Sequence, residues 1–191
     1  MKQILIGIIV LSAVLFGEAR HIIGGEITYE CLGDQNGVRR YRFTMRVYRD
    51  CFSGGAPFDG QTGGGANIAV YRCGVNQNCG NFTQFNALAS LEAPLREVRS
   101  VAPPNFPCLE LPRNVCVEEG LYEFELSLPI VDESYHIVYQ RCCRNETITN
   151  ITAPGDAGAT YSVEITPAAQ NLCNNSPTFD QFPPTVICVG Q

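Results

Sequence analysis

The sequence predicts an all-β fold, namely a disulfide-braced antiparallel β-sandwich of the immunoglobulin-like class. Apolar and polar residues alternate in several short segments, which is the pattern of half-buried strands. Clusters of glycine, proline and asparagine separate these segments and indicate turns. The chain also contains ten cysteines, an even number that favours a disulfide framework in an exported protein. No window of a dozen residues shows helical periodicity.

The clearest alternation lies in residues 41–47, where Tyr41, Phe43, Met45 and Val47 share one face. Six further segments are predicted as strands on the same grounds: 26–31, 68–71, 122–128, 135–142, 147–151 and 160–165. The Gly-Asp-Gln-Asn-Gly sequence at 33–37 predicts a hairpin loop between the first two long strands. We expect apolar and aromatic residues of these strands to form the core, with arginine, glutamate and serine facing water.

The first 19 residues have the features of a secretory signal peptide. Lys2 supplies a positive charge, residues 4–16 are uninterruptedly apolar, and Gly17 and Ala19 are small residues at a cleavage site. The apolar run is shorter than the roughly 18–20 residues that a membrane-spanning helix requires. We therefore expect no membrane span after cleavage, and a secreted or cell-surface location.

The rest of the chain is divided by a change in composition after residue 166. Residues 20–166 are predicted to form the sandwich domain, because the alternating segments all lie within them. Residues 167–191 are rich in asparagine, proline and alanine before a final apolar segment at 185–189. They are predicted to be a linker and the first strand of a following module.

Composition excludes several classes of mechanism. The net charge is −6, which does not suggest a nucleic acid as partner. Lys2, in the predicted signal peptide, is the only lysine of the chain. Schiff-base lysines, P-loop lysines and lysine–asparagine isopeptide crosslinks are therefore excluded from the mature protein. Any covalent stiffening must come from cysteine.

The cysteines are all predicted to be disulfide candidates: Cys31, Cys51, Cys73, Cys79, Cys108, Cys116, Cys142, Cys143, Cys173 and Cys188. Ten cysteines allow roughly nine hundred pairings. Short local loops favour the pairs Cys73–Cys79, Cys108–Cys116 and Cys173–Cys188. Cys31 and Cys51 would then pair with Cys142 and Cys143, whose side chains point to opposite faces if they lie in a strand. Zinc sites usually contain C-x2–4-C pairs, and the sequence has none, so no metal is expected.

Two short motifs resemble those of trypsin-like proteases. Ile-Ile-Gly-Gly at 22–25 follows an arginine and a histidine, and Gly-Asp-Ala-Gly at 155–158 has alanine where the nucleophilic serine would be. His136 lies in a strand pattern, outside any catalytic motif. We interpret the first motif as a glycine-rich strand start or bulge and the second as a turn, and we predict no catalytic residue and no cofactor. The adjacent carboxylates Glu118 and Glu119 are interpreted as solvated charges.

One ion pair is predicted as a structural feature. If Cys51 bonds to the Cys142–Cys143 pair, the neighbouring Asp50 should come close to Arg141 or Arg144. A guanidinium on a partly buried carboxylate could then set the strand register. A separation far beyond 4 Å would exclude the pairing, and the alternative is a surface pair of little energetic value.

Two other functions remain open from the residues alone. Tyr71, Phe82 and Phe85, near Asn76 and Gln84, could form an aromatic surface for a glycan. The alternative is that these rings pack beneath the loop closed by Cys73 and Cys79. A secreted hydrolase, less favoured, would need a pocket that brings His136 together with a carboxylate and a hydroxyl.

Four motifs in order carry a resemblance to a known class of proteins. They are H-I-I-G-G-E-I-T-Y-E-C-L-G, Y-R-F-T-M-R-V-Y-R-D-C, Y-H-I-V-Y-Q-R-C-C-R-N and F-P-P-T-V-I-C-V-G-Q. Together they resemble the N-terminal region of large secreted surface proteins of Bacteroidota, described as gliding-motility-associated or adhesin-like and exported by type IX secretion. The resemblance implies an extracellular, non-enzymatic, β-rich module that is followed by immunoglobulin-like repeats.

The function predicted from these observations is a structural or adhesive module without catalytic activity. Its expected partners are other extracellular modules, a surface protein or a glycan. A glycan-binding module is the alternative.

Overall fold

The computed structural model describes residues 22–52, 55–74, 80–83, 86–103, 105, 108–110 and 114–178. Within these ranges the chain forms two four-stranded antiparallel sheets. Sheet A has the order β1-β2-β6-β5, with β1 (Ile22–Gln35), β2 (Val38–Asp50), β6 (Val117–Pro129) and β5 (Leu95–Ser100). Sheet B has the order β4-β3-β7-β8, with β4 (Ala89–Ala93), β3 (Ala66–Cys73), β7 (Ser134–Arg141) and β8 (Ala159–Ile165). A 3₁₀ turn (Pro154–Asp156) and one short helix, α1 (Pro167–Leu172), complete the described elements.

The two sheets share one hydrophobic core, as the alternating pattern predicts. Tyr41, Phe43, Met45 and Val47 of β2 are fully buried. They belong to the same cluster as residues of sheet B such as Ile137. Phe43 also stacks on Phe124 of β6, with ring centroids 5.1 Å apart. The predicted all-β fold with two antiparallel sheets is therefore confirmed.

The hairpin between β1 and β2 is tighter than the predicted five-residue loop. Gln35 pairs with Val38, so that only Asn36 and Gly37 form the turn. Both have positive φ angles, 58° and 79°, which the type I′ turn requires and which asparagine and glycine tolerate best. At the other end of β1 the register shifts between Ile22 and Gly24, which confirms the predicted bulge.

Two strands were not predicted, and one predicted strand is absent. Strands β4 and β5 place few side chains in the core, and Ala93 is the one fully buried residue of the two strands. Because neither strand has a buried face, their sequences show only weak alternation of apolar and polar residues. Residues 147–151 form turns and bends instead of a strand. Asn145 causes this, because its side-chain oxygen accepts hydrogen bonds from both the backbone N–H and the hydroxyl of Thr147.

Helix α1, in the stretch predicted to be a linker, is anchored to the sandwich by hydrogen bonds. The Thr166 hydroxyl caps its N-terminus by accepting from Ala169 N. Gln170 is buried, and its amide donates to the Glu133 and Ile165 carbonyls and accepts from Val131 N. From the first sheet, Arg39 donates to the carbonyls of Gln170 and Asn171, and so caps the helix C-terminus.

The chain after α1 runs along the outer edge of β1. Ser176 exchanges two hydrogen bonds of 2.9 Å with the backbone of Tyr29, and Asn175 accepts from Cys31 N. These contacts cover part of an edge strand that could otherwise pair with another chain. Residues as far as Ser176 thus contact the sandwich, while the domain boundary at residue 166 stays a prediction. The final apolar segment at 185–189 lies outside the described residues.

Within the described part of the chain, no helix has the length and apolarity needed to cross a membrane.

Candidate functional site

The residues 55–61, here called the brace segment, are held by side chains of sheet A. Arg49 of β2 donates to the Ala56 carbonyl at 2.6 Å and to Glu118 Oε2 at 2.7–2.9 Å. Its guanidinium lies 4.6 Å above the ring of Phe58. That ring is buried against the backbone of Gly120 in β6. The ring of Phe58 therefore anchors the brace segment to the interior of the domain, while the rest of the segment stays partly or fully exposed.

Sheet B holds the same segment through Asp59. The Tyr139 hydroxyl donates to Asp59 Oδ2 at 2.6 Å, and an Arg141 guanidinium nitrogen lies 3.3 Å from Asp59 Oδ1. Arg141 also donates to the Pro57 carbonyl at 2.6 Å. From sheet A, the Tyr122 hydroxyl donates to the Asp59 carbonyl at 2.9 Å. One residue of the brace segment thus connects the two sheets.

These contacts keep the buried tyrosines in their neutral form. Burial raises the pKa of Tyr139 well above its usual value, and its hydrogen bond to Asp59 raises it further. Burial likewise raises the pKa of Tyr122. Because only the neutral phenol can donate a hydrogen bond, Asp59 is held most firmly at physiological pH.

The predicted ion pair of Asp50 is replaced by other contacts. Arg141 pairs with Asp59, and Arg144 donates to the Gly158 carbonyl. The Asp50 carboxylate accepts from the Asn145 amide at 3.0 Å and from Phe52 N at 2.8 Å. The prediction depended on a bond between Cys51 and the Cys142–Cys143 pair, and the structure has no such bond among the described cysteines.

All eight cysteines of the described ranges are disulfide-bonded. Three pairs are formed between described residues: Cys31–Cys173, Cys51–Cys116 and Cys142–Cys143. Four predicted bonds are therefore wrong, namely Cys108–Cys116, Cys173–Cys188 and the two bonds from Cys31 and Cys51 to Cys142 and Cys143. Cys73 and Cys108 are also bonded, whereas Cys79 and Cys188 lie outside the described residues.

Sheet register and the helix explain the observed pairs. Asp50 and Val117 are opposite each other at the paired ends of β2 and β6. Their neighbours Cys51 and Cys116 therefore meet, with Cα atoms 5.1 Å apart. Helix α1 turns the chain back so that Cys173 reaches β1. Strand β7 ends at Arg141, so the prediction that Cys142 and Cys143 point to opposite faces of a strand does not apply.

The aromatic surface predicted for a glycan is largely internal. Tyr71 is 5% exposed, and the ring of Phe82 packs against it with centroids 4.9 Å apart. Phe82 also contacts His136 at 5.5 Å between ring centroids. Asn76, Gln84 and Phe85, the other members of the predicted set, lie outside the described residues.

The paired carboxylates belong to ion pairs in sheet A. Glu118 binds Arg49, and Glu119 is buried although it was interpreted as a solvated charge. Its carboxylate lies 3.0 Å from Arg99 and 3.7 Å from Arg46, which compensates the burial of its charge.

Within the described ranges, no group of three or more histidine, cysteine, aspartate or glutamate side chains could hold a metal ion.

The outward face of sheet B contains a shallow groove of about 310 Å³. Ala69 of β3 and Val138 of β7 are cross-strand partners and form its floor. Its sides consist of uncharged residues: Asn67, Tyr71, Ala87, Ser90 and Gln140. The sequence did not predict this groove, because it arises only when the three strands β3, β4 and β7 are aligned.

Comparisons with known proteins identify no relative. No family model matches the chain, and neither a curated protein nor a solved structure matches it significantly. Functional inference therefore depends on the residues and their geometry.

Proposed function

We propose that this chain is an exported structural or adhesive module of the cell surface, without catalytic activity. The observation that carries the proposal is that all eight described cysteines are in disulfides. Two of the bonds join residues 142 and 65 positions apart in sequence. Disulfides of this kind form and persist in oxidising environments outside the cytosol.

The sequence supports the same location independently. Residues 1–19 have the composition of a signal peptide, and the four motifs resemble the N-terminal region of Bacteroidota surface proteins. Such proteins are exported by type IX secretion and are associated with adhesion or gliding motility. In that setting, the partners of this module are neighbouring extracellular modules, a surface protein or a glycan.

We further propose that the sandwich is immunoglobulin-like. In immunoglobulin domains one sheet contains strands A, B, E and D and the other contains C, F and G. The order β1-β2-β6-β5 corresponds to A-B-E-D, and β3-β7-β8 corresponds to C-F-G. Strand β4 would be an additional strand beside C. The antibody hallmarks are missing, since the chain has no tryptophan and Cys51–Cys116 joins two strand ends of one sheet.

The use of charged residues supports a structural role over an enzymatic one. Asp59, Glu118 and Glu119 are all engaged by arginines. A catalytic carboxylate would need access to a substrate, whereas Glu118 and Asp59 hold the brace segment in place. These ion pairs thus stabilise the fold.

Localisation in the organism that encodes the protein tests the proposal. Antibody should label intact, unpermeabilised cells, and N-terminal sequencing of the exported protein should show loss of residues 1–19. A deletion strain should lose surface adhesion or motility, and the wild-type gene should restore it. Retention in the cytosol with alkylatable thiols would contradict the proposal. The matched control is a cytosolic protein of the same cells, which must remain unlabelled before permeabilisation.

A further inference from the structure

We propose that the groove on sheet B binds an uncharged sugar unit of a glycan. This goes beyond a structural role, and the groove lining shares only Tyr71 with the aromatic set considered from the sequence. The proposal rests on the shape of the groove, on the chemistry of its lining and on its charge.

The groove has a defined origin in the register of sheet B. Ser90, Ala69 and Val138 lie next to one another across β4, β3 and β7. All three have small or medium side chains, so they project less far from the sheet surface than the residues on either side of them. Along β3, the larger Asn67 and Tyr71 stand two residues before and after Ala69 on the same face. A depression therefore forms between two higher rows.

Contacts fix the sides of the groove before any ligand arrives. Tyr71 is held by the ring of Phe82. The Gln140 amide donates to the Thr160 hydroxyl at 3.3 Å, which orients its side chain along the sheet. Beside β3, Leu88 N donates to the Val70 carbonyl at 2.7 Å, and this bond holds the neighbouring Ala87 against the groove. Fixed side chains lose little conformational entropy when a ligand binds.

The lining suits a pyranose ring. Such a ring carries hydroxyl groups around its edge and C–H groups on its two faces. Ala69, which is partly exposed, offers an apolar floor for one face beside the buried Val138. The amides of Asn67 and Gln140 each offer donors and an acceptor, which match hydroxyls that both donate and accept. The volume of about 310 Å³ lies at the lower end of ligand sites and fits one or two sugar units.

Charge selects against acidic sugars. Among the residues that the structure describes, no arginine lines the groove and the lining residues are all neutral. Glu92 of β4 pairs with Asn67 and brings a negative charge to the same end of the sheet. A carboxylated or sulfated sugar would therefore meet repulsion without a compensating cation. The outward face of sheet A differs, because arginine–glutamate pairs such as Arg42–Glu125 occupy it.

A glycan array followed by calorimetry tests this site. The full chain, with its disulfides intact, is applied to printed neutral, carboxylated and sulfated glycans, and the strongest binder is titrated in solution. Ala69→Leu should fill the floor and lower the affinity at least about tenfold, equivalent to about 1.4 kcal/mol. Ser127→Leu, which introduces the same side chain at an exposed strand position of sheet A, should leave the affinity unchanged.

A second pair of variants covers the case in which Ala69→Leu does not fold. Gln140→Glu keeps the shape of an exposed side chain and adds a negative charge inside the groove, and should also weaken binding. Asn171→Asp on α1 is its control. Binding of neutral glycans that both groove variants weaken would support the site. The absence of any glycan binding, a preference for acidic glycans, or binding that neither groove variant changes would overturn it.

Discussion

The ring of Phe58 fills the space that a side chain at residue 120 would occupy. A Cβ atom added to Gly120 would lie 2.8 Å from Phe58 Cδ1. Glycine at this point of β6 thus lets the brace segment enter the space beside the sheet, where Arg49 covers the ring from above. The contact explains how a loop rich in glycine is anchored to the interior.

Substitution of Gly120 by alanine should therefore destabilise the domain. The new methyl group must displace either the ring or the strand, and overpacking of this kind costs about 1–3 kcal/mol. Urea unfolding followed by circular dichroism measures the change. Gly158→Ala is the control, since its nearest neighbour, Arg141 O, would be 3.7 Å from the new Cβ. Equal effects of the two substitutions would contradict the close contact.

Removal of the ring should have a larger effect. Phe58 is 1% exposed, so Phe58→Ala leaves a cavity and is expected to lower the free energy of unfolding by about 3–5 kcal/mol. Phe52, six residues earlier in the same connection, is 60% exposed. Phe52→Ala should change stability by less than about 0.5 kcal/mol. Similar losses for both phenylalanines would show that the brace segment does not pack as described.

Removal of the Asp59 charge should lower the stability of the fold more than removal of the exposed charge of Glu125. Asp59→Asn removes the ion pair with Arg141, whose side chain is 13% exposed, and should destabilise the fold by about 1–3 kcal/mol. Glu125→Gln is the control: Glu125 contacts Arg40 and Arg42 on the outer face of sheet A and is 44% exposed. The effect of Glu125→Gln on stability should be small and should disappear at high salt. The reverse order of effects would contradict the role of the brace segment.

Alkaline pH should unfold the domain through its tyrosines. Burial raises the pKa of all eight, and raises that of Tyr41 to about 12. Above about pH 10 the unfolded chain therefore releases phenolic protons that the folded chain retains, so stability falls as pH rises from there. Below pH 10 this contribution is fully present. Phenolate absorbance at 295 nm should rise together with the loss of circular dichroism. Ordinary titration near pH 10 in the still folded protein would contradict the burial of the rings.

Strands whose two faces differ could be predicted well from the sequence. Residues such as Phe43 and Met45 alternate with Arg42 and Thr44, and that alternation reflects one buried face and one wet face. The short edge strands β4 and β5 bury too little to alternate. Helix α1 has six residues, fewer than two turns, so no periodicity could reveal it. The Thr166-Pro167 pair, an N-cap followed by proline, was the available signal for it.

Long-range contacts could not be predicted, because they depend on sheet register. Cys51 and Cys116 meet only since β2 and β6 pair along 13 residues. Asp59 meets Arg141 because the brace segment contacts both sheets, whereas the sequence pointed to Asp50, the neighbour of Cys51. The groove likewise depends on the alignment of Ala69 with Val138, which belong to strands far apart in sequence.

Peptide mapping of the non-reduced protein, collected from the cell surface, tests the central claim most directly. The claim is that cysteine pairs fixed by the fold brace an exported scaffold. Mass spectrometry should find the linked peptides of Cys31–Cys173 and Cys51–Cys116, and a Cys142–Cys143 peptide two hydrogens lighter than its reduced form. Alkylated free thiols at these positions, or different pairs in the majority of the molecules, would contradict the account.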